Sequence, residues 1–276
     1  EILDGRVKTL HPRIHGGILG RRGLDAHRQQ MQTHGIDPID LVCVNLYPFA
    51  AVTARGCDFE EAIENIDIGG PSMVRSAAKN HEDVVIVVDP SDYGSVLADL
   101  RRDGTVSPER RRELARKAFA STAAYDGMIA DYLGRGEDEF GRTMHRQWQL
   151  VQPLRYGENP HQRAAFYRDP DAAGANIATA RVLQGKELSY NNIIDADAAL
   201  QLVLEFEEPA CVAIKHTNPC GAAVADGSLA AFRKARLCDP VSIFGGIVAF
   251  NREVDEATAN EMKEVFLEIV IAPRFS

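Results

Sequence analysis

Leu41-Val42-Cys43-Val44-Asn45-Leu46, followed by Tyr47-Pro48, is a mostly apolar run that ends in a chain-breaking pair. A second apolar run covers residues 84–88 and is followed by Asp89-Pro90. Hydrophobicity that is continuous rather than alternating is typical of parallel strands covered on both faces. The two runs therefore predict two strands of one parallel sheet.

Helical patterns separate and follow these predicted strands. Asp58 is suited to cap a helix over residues 59–66, and Pro71 suits the start of a helix over residues 72–79. A longer helical pattern runs from about residue 108 to residue 132. This alternation predicts a parallel-sheet α/β domain with three layers.

A Gly-rich, charged stretch at residues 134–139 is typical of a domain boundary. Beyond it helical and strand patterns alternate again, so the second half is also expected to be α/β. We expect one domain over residues 1–134, a linker over 135–152 and the first part of another domain over 153–276. The elements predicted in this part are helices over about 195–206, 229–237 and 255–267 and strands over 211–214, 247–250 and 269–271.

Composition narrows the class of protein. The chain has 276 residues and a formal charge of −9, which argues against general affinity for nucleic acid or an anionic membrane. It has no apolar run as long as a membrane span and no signal-peptide pattern. Its five scattered cysteines include no C-x-x-C pair, so we predict neither a disulfide framework nor a zinc site. These features predict a cytoplasmic protein.

Polar residues gather where predicted strands end and helices begin. One loop-like segment holds Arg6, Lys8 and Thr9. It suits an anionic ligand, because Arg binds phosphate in a bidentate manner and Lys neutralises charge. Asn45 and Tyr47 follow a predicted strand at its carboxyl end, where parallel sheets commonly bind ligands.

The segment at residues 66–71 adds an acid and two glycines before a helix, whose free N–H groups suit an anion. With Lys79 further along, these groups predict general acid–base chemistry on a phosphorylated ligand. Each residue also has a structural interpretation. Asp67 could cap the helix, and Tyr47 could be a core residue with a solvated hydroxyl.

Two clusters carry polar chemistry in the second half. Residues 153–162 are too polar and too broken by Gly and Pro for a helix or central strand. Lys215 and His216 follow an apolar strand, where they could supply charge stabilisation beside a proton acceptor. A plain polar turn is the alternative for this pair. Cys220 is interpreted as structural, and the histidines show no metal-ligand spacing.

Six segments stand in order along the chain: GRVKTLHP at 5–12, NLYPF at 45–49, IDIGG at 66–70, AKNH at 78–81, LRYGENPHQ at 154–162 and KHTNPCG at 215–221. Together they resemble a family of bifunctional purine-biosynthesis enzymes that join AICAR formyltransferase to IMP cyclohydrolase. The resemblance implies a methylglyoxal-synthase-like first domain that closes the purine ring of FAICAR, giving IMP and water. It implies a cytidine-deaminase-like α/β/α second domain that transfers a formyl group from the co-substrate 10-formyltetrahydrofolate to AICAR, with no metal.

The resemblance also implies roles in the first domain. Asp67 and Tyr47 would deprotonate and align the carboxamide nitrogen that attacks the formyl carbon. Lys8 would stabilise the resulting oxyanion, and Lys79 would act in proton transfer. The implied nucleotide-binding residues are Arg6, Val7, Thr9, Val44, Asn45, Ile68 and Gly69.

In the second domain the resemblance implies His216 as proton acceptor for the amino group of AICAR and Lys215 as the group that stabilises charge. It implies a homodimer and no nucleic-acid or membrane partner. The implied AICAR-binding residues are Arg155, Tyr156, Asn192, Gly245 and Glu268.

Two other functions stay open at this point. The chain could be a cyclohydrolase with a vestigial second domain, or a non-catalytic nucleotide-binding or scaffolding fragment. The sequence opens on Glu1, and nothing in it matches the Ser/Asp-Lys-Thr-Gly phosphate loop of the family. We therefore expect a piece of a longer protein, truncated at both ends.

Overall fold

The computed structural model describes residues 3, 6–134, 143–170 and 172–276. Residues 135–139 of the predicted boundary stretch and residues 135–142 of the predicted linker lie outside the described residues. The chain divides into two compact units, Glu1–Arg146 and Gln147–Ser276. The domain bounds expected from the sequence stay a prediction.

The first unit mixes helices with a small parallel sheet. Within the described residues, β1 and β2 pair in parallel, with Val42 opposite Ile86. The parallel pairing confirms that part of the prediction, while a three-layer arrangement of this unit stays a prediction. The elements are α1 (Pro12–Leu19), α2 (Asp25–Thr33), β1 (Leu41–Cys43), α3 (Phe49–Ala54), α4 (Phe59–Glu64), α5 (Gly69–Lys79), β2 (Val85–Val87), a 3-10 turn (Pro90–Asp92), α6 (Tyr93–Asp103) and α7 (Pro108–Leu133).

Local capping sets several of these helices. The Asp58 carboxylate accepts a hydrogen bond from the Glu61 backbone N–H at 2.7 Å, which starts α4 as predicted. The Ser107 hydroxyl caps α7, and that predicted helix is confirmed. The start predicted for α5 was wrong by three residues, because the helix already begins at Gly69.

The core of the first unit lies around the two strands. Val42 and Ile86 of the strands are buried with Val74 of α5 and Ala118 of α7. Removing these side chains from water is the main force that holds α5 and α7 on the sheet. The beginning of α5 is thereby fixed near the end of β1.

The second unit has a two-stranded antiparallel hairpin and a mixed four-stranded sheet. The sheet order is β6-β5-β7-β8, with β5 antiparallel to both neighbours and β7 parallel to β8. None of the described helices is long and apolar enough to cross a bilayer. The elements are β3 (Gln149–Leu154), β4 (Ala164–Arg168), a 3-10 turn (Ile177–Thr179), α8 (Tyr190–Leu204), β5 (Ala210–Lys215), β6 (Asn218–Val224), α9 (Ser228–Cys238), β7 (Gly246–Phe250), α10 (Glu256–Met262) and β8 (Leu267–Ile271).

The four-stranded sheet is covered on both faces. Successive side chains of a strand point to opposite faces. Val212 of β5 is therefore buried with Val203 of α8, whereas Cys211 is buried with Phe232 of α9. This unit is a three-layer α/β/α arrangement.

Two predictions for this unit were wrong. The helix expected to run to residue 267 ends at Met262, and Leu267 already belongs to β8. Residues 218–224, for which the sequence predicted no strand, form strand β6. Pro219 is tolerated there because β6 lies at the edge of the sheet, where a missing N–H breaks no ladder.

Gly221 is required by the packing of β6 on α9. A Cβ atom at this position would lie 2.1 Å from the backbone carbonyl oxygen of Ala235. Because backbone cannot move aside cheaply, Gly221→Ala should lower the free energy of unfolding by about 1–3 kcal/mol, measured by urea denaturation. Gly227→Ser is the control, since Gly227 has open space and caps α9, where Ser is favoured. Equal losses in both variants would contradict this assignment.

Candidate functional site

A cavity of about 680 Å³ lies in the first unit between the segment at residues 6–10, the end of β1 and the start of α5. It gathers most of the residues that the sequence predicted for a nucleotide site. The predicted residues on its wall are Arg6, Lys8, Thr9, Val44, Tyr47, Asp67, Ile68 and Gly69.

Asp67 is held in place by backbone donors. Its Oδ1 accepts a hydrogen bond from the Gly70 N–H at 2.7 Å, and its Oδ2 accepts one from the Tyr47 N–H at 3.4 Å. Asp67 therefore does stabilise the first turn of α5, as the structural interpretation had it. It also lies on the cavity wall, so the two interpretations are compatible.

The glycines at the start of α5 allow this close approach. A Cβ atom at Gly69 would lie 2.5 Å from Thr9 Oγ1, and one at Gly70 would lie 2.4 Å from Asp67 Oδ2. Both distances are shorter than a non-bonded contact allows. Glycine at these two positions lets Thr9 and Asp67 face the helix start together, because a side chain there would displace the Thr9 hydroxyl and the Asp67 carboxylate.

Tyr125 of α7 supports the same segment from the core side. It is 6% exposed, and its Oη accepts a hydrogen bond from the Asp67 N–H at 2.8 Å and donates one to the Asn65 carbonyl oxygen at 3.2 Å. Burial raises the pKa of the Tyr125 hydroxyl, so it stays protonated at neutral pH.

The arginine on the cavity wall, Arg6, already forms an ion pair with a carboxylate. The Arg6 guanidinium forms an ion pair with Glu64 of α4, and both side chains are exposed. Their hydrogen bond raises the pKa of Arg6 and lowers the pKa of Glu64. Arg6, which the sequence predicted to bind an anionic ligand, is therefore paired with Glu64.

Three predicted residues lie apart from this wall. Val7 is half-buried and does not line the cavity. The Asn45 amide instead joins the ends of the strands, since its Nδ2 donates to the Val88 carbonyl oxygen at 3.0 Å and its Oδ1 accepts from Tyr93. Lys79 ends α5 and lines a different cavity, about 15 Å along the helix from Gly69.

In the second unit a polar cluster forms where β5 ends and β7 begins. Lys215 is half-buried, and its Nζ donates to the carbonyl oxygens of Phe244 and Gly245 at 2.9 and 3.0 Å. Gly245 has φ +66, which favours glycine. The structure therefore brings together Lys215 and Gly245, both predicted from the sequence.

The start of α8 joins this cluster. Asn192 forms a capping box with Ser189, and its Nδ2 donates to Glu268 of β8 at 2.7 Å. Asp195, one turn further, accepts a hydrogen bond from the Thr217 N–H at 2.7 Å. One end of the sheet thus collects Asn192, Glu268 and the turn after β5.

That turn is a two-residue hairpin in an unusual backbone conformation. His216 and Thr217 have φ values of 52° and 61°, in the left-handed region where hairpins of this length usually carry Asn or Gly. Such backbone costs free energy in non-glycine residues. The Asp195 bond to Thr217 and a 2.8 Å bond from the Asn218 side chain to the His216 carbonyl hold the turn.

Arg155 and Tyr156 follow β3, in the loop of the hairpin. The Arg155 guanidinium lies 5.9 Å from the centre of the Tyr156 ring, in a cation–π contact. Within the described part of the chain, no hydrogen bond joins this pair to Lys215 or His216.

The structure also bears on the interpretation of Cys220 and on possible metal ligands. Burial raises the pKa of the Cys220 thiol, whose Sγ lies 3.5 Å from the Ala213 carbonyl oxygen, and this protonated thiol fits the structural interpretation. No group of three or more metal-ligating side chains occurs in the residues that the structure describes.

Comparison with known proteins identifies the family. A family model described as "AICARFT/IMPCHase bienzyme" matches residues 77–276, and one described as "MGS-like domain" matches residues 1–72. The chain belongs to the AICARFT/IMPCHase bienzyme family. This confirms the resemblance drawn from the six motifs.

Relatives named bifunctional purine biosynthesis protein PurH align along this whole chain. The protein of Neisseria gonorrhoeae is 56% identical over 289 residues, covering 100% of this chain and 55% of its own length. That of Halalkalibacterium halodurans is 59% identical over 278 residues, with 100% and 54% covered. The chain therefore spans about half the length of the curated relatives it matches. A solved structure described as "Crystal structure of ForH" is 42% identical and covers 48% of this chain and 69% of that chain, with a TM-score of 0.42.

Several residues of the two candidate sites were not predicted from the sequence. Tyr125 reaches the first cavity region from α7, which is distant in sequence, and Glu64 of the adjacent α4 pairs with the distant Arg6. Asp195 reaches the His216 turn from α8. The Ser189–Asn192 capping pattern was a readable signal for the start of α8. Glu64 and Tyr125 offered no comparable local signal.

The two hydrogen bonds of Tyr125 predict a cost for removing its hydroxyl. Tyr125→Phe should lower the free energy of unfolding by about 1–2 kcal/mol, because it leaves a buried N–H without a partner. Tyr93→Phe is the control, since it also removes a bonded hydroxyl but from an exposed side chain. Chemical denaturation of both variants checks this, and a Tyr125→Phe loss no larger than that of the control would contradict it.

Proposed function

We propose that the first unit carries the cyclohydrolase activity, the dehydrative closure of FAICAR to IMP. The observation that supports this most is one cavity walled by Lys8, Tyr47 and Asp67 together with Arg6. An amine, a phenol and a carboxylate around one space are the groups that such a ring closure needs.

The proposed reaction moves two protons from nitrogen to the formyl oxygen and expels one water. The carboxamide nitrogen of FAICAR attacks the formyl carbon, and the C=O electron pair becomes an oxyanion. Asp67, oriented by backbone N–H groups, would accept the proton lost from nitrogen, with Tyr47 aligning the nitrogen. Lys8 would stabilise the oxyanion until it takes a proton and becomes a hydroxyl. The formamide nitrogen then loses its own N–H proton and forms the C=N bond, and the hydroxyl leaves with a second proton as water.

The phosphate of the nucleotide would bind where cations and free N–H groups meet. Thr9 lies against the start of α5, where helix N–H groups favour an anion. Arg6 would contribute a bidentate contact on exchange with Glu64. Val7, Val44, Asn45, Ile68 and Gly69 complete the proposed binding segment through backbone or packing.

We propose formyl transfer for the second unit, as part of the whole bienzyme. The AICAR amine would attack the formyl carbon of 10-formyltetrahydrofolate, giving FAICAR and tetrahydrofolate. His216 would accept the amine proton, and Lys215, fixed by two carbonyls, would stabilise the charge that develops. Arg155, Tyr156, Asn192, Gly245 and Glu268 would bind AICAR.

The remaining assignments are proposals of the same kind. They are a methylglyoxal-synthase-like first domain, a cytidine-deaminase-like second domain, a cytoplasmic homodimer, and no metal, nucleic-acid or membrane requirement. The assignment of Lys79 to proton transfer rests on its motif alone, because Lys79 lies on another cavity.

Ring closure is tested by ultraviolet absorbance as the 276-residue chain converts FAICAR to IMP. Asp67→Asn and Lys8→Met should each slow the reaction by about 10²–10³-fold, through loss of the base and of the oxyanion stabiliser. Lys79→Ala is measured beside them, and a wild-type rate would remove Lys79 from the mechanism.

Arg101→Gln is the control, since Arg101 is an exposed cation on α6 away from the cavity. No IMP from wild type, or a wild-type rate in Asp67→Asn, would contradict ring closure in this cavity. Tight FAICAR binding without turnover would favour a nucleotide-binding fragment instead.

Formyl transfer is assayed separately, from AICAR and 10-formyltetrahydrofolate. His216→Ala should reduce formyl transfer by about 10²–10⁴-fold and leave ring closure intact. A His216→Ala variant that loses ring closure but keeps formyl transfer would contradict the proposed division of labour.

A further inference from the structure

A second cavity, of about 600 Å³, lies in the first unit between α5 and α7. It shares none of its wall with the cavity of Asp67. Its basic side chains are Arg75, Lys79, His81, Arg112 and Arg116.

The cations on this cavity wall are spaced so that they repel one another when no anion is bound. Arg75 and Lys79 are four residues apart on α5, and Arg112 and Arg116 are four apart on α7. Like charges at this spacing lie on one helix face and repel. Two such pairs meet at one cavity although the chain as a whole is acidic.

Nearby carboxylates do not neutralise the cluster. Glu82 forms an ion pair with Arg21, and Glu113 forms one with Arg110. Among the described residues, no ion pair involves Arg75, Lys79, Arg112 or Arg116. The cavity wall is therefore positively charged, and no carboxylate of the described residues forms an ion pair with Arg75, Lys79, Arg112 or Arg116.

The rest of the wall is apolar and partly ordered by one aromatic ring. The Arg75 guanidinium lies 5.6 Å from the centre of the Phe119 ring, a cation–π contact that orients it. His81 Nδ1 lies 3.1 Å from the Ala78 carbonyl oxygen, which orients the imidazole. Leu19 and Ala115 add hydrocarbon surface beside the charges.

We propose that this cavity binds a small organic phosphate that carries two negative charges on an apolar or aromatic body. The arginines would contact the phosphate, and Phe119 and Leu19 would pack on the body of the ligand. The volume lies in the range of small-molecule sites. Lys79 belongs to both proposals, but the binding test varies only Arg112 and Arg116, which have no role in the proposed ring closure, so either proposal can fail alone.

Calorimetry with phenyl phosphate tests the proposal on the whole chain. Wild type should bind it in the millimolar range or tighter, and more tightly than it binds inorganic phosphate. Arg112→Gln and Arg116→Gln should each weaken binding by about tenfold. Arg101→Gln, a cation on α6 with no ion pair in the described structure, should bind like wild type.

Thermal melting guards against a variant that fails to fold. Because Arg116→Gln removes a like-charge pair, its melting temperature without ligand should equal or exceed that of wild type. Its rise on adding phenyl phosphate should be smaller. Absence of binding to wild type, or equal binding by wild type, Arg112→Gln and Arg116→Gln, would overturn the proposal.

Discussion

The first turn of α5 must pass so close to Thr9 and Asp67 that no side chain fits between them. Gly69 and Gly70 meet this constraint, and the rest of the first cavity depends on it. With the glycines in place, the Asp67 carboxylate caps the turn and still faces the cavity. The burial of α5 and α7 around the strands then fixes the helix start, while Tyr125 ties the preceding backbone to the core. A conformational requirement of two residues thus organises groups from four segments of the chain.

The two cavities of the first unit differ in how their charges are balanced. In the first, Arg6 has Glu64 and Asp67 has backbone donors, so the charged groups are held before any ligand arrives. Around the second cavity, the arginines of α5 and α7 have no carboxylate within the described structure. A site of the first kind suits chemistry, since catalysis gains from groups whose positions are already paid for in folding. A site of the second kind gains most of its stabilisation from the ligand itself.

Elements set by local signals were predictable, and those set by distant contacts were not. Consecutive residues form the apolar runs of β1, β2, β5 and β7, and the structure confirms these strands. Local sequence also indicates the helix caps Asp58 and Ser107, which the structure confirms. Strand β6 was missed because the His216–Thr217 turn lacks the expected glycine and Pro219 breaks the strand pattern. For the candidate sites, motifs found the residues of the first cavity wall. They could not show that Asn45 joins the strand ends, that Lys79 lies on another cavity, or that Glu64 pairs with Arg6.

In the proposed nucleotide site, the ion pair between Glu64 and Arg6 would make the binding of an anion an exchange with the Glu64 carboxylate. An incoming anion gains only the difference between its own contact with the guanidinium and the contact that the carboxylate gives up. A dianion such as a phosphate monoester gains from that exchange, whereas a neutral or weakly charged molecule gains nothing. In the proposed nucleotide site, Glu64 would therefore act as a charge filter that lowers affinity and favours dianions over neutral molecules.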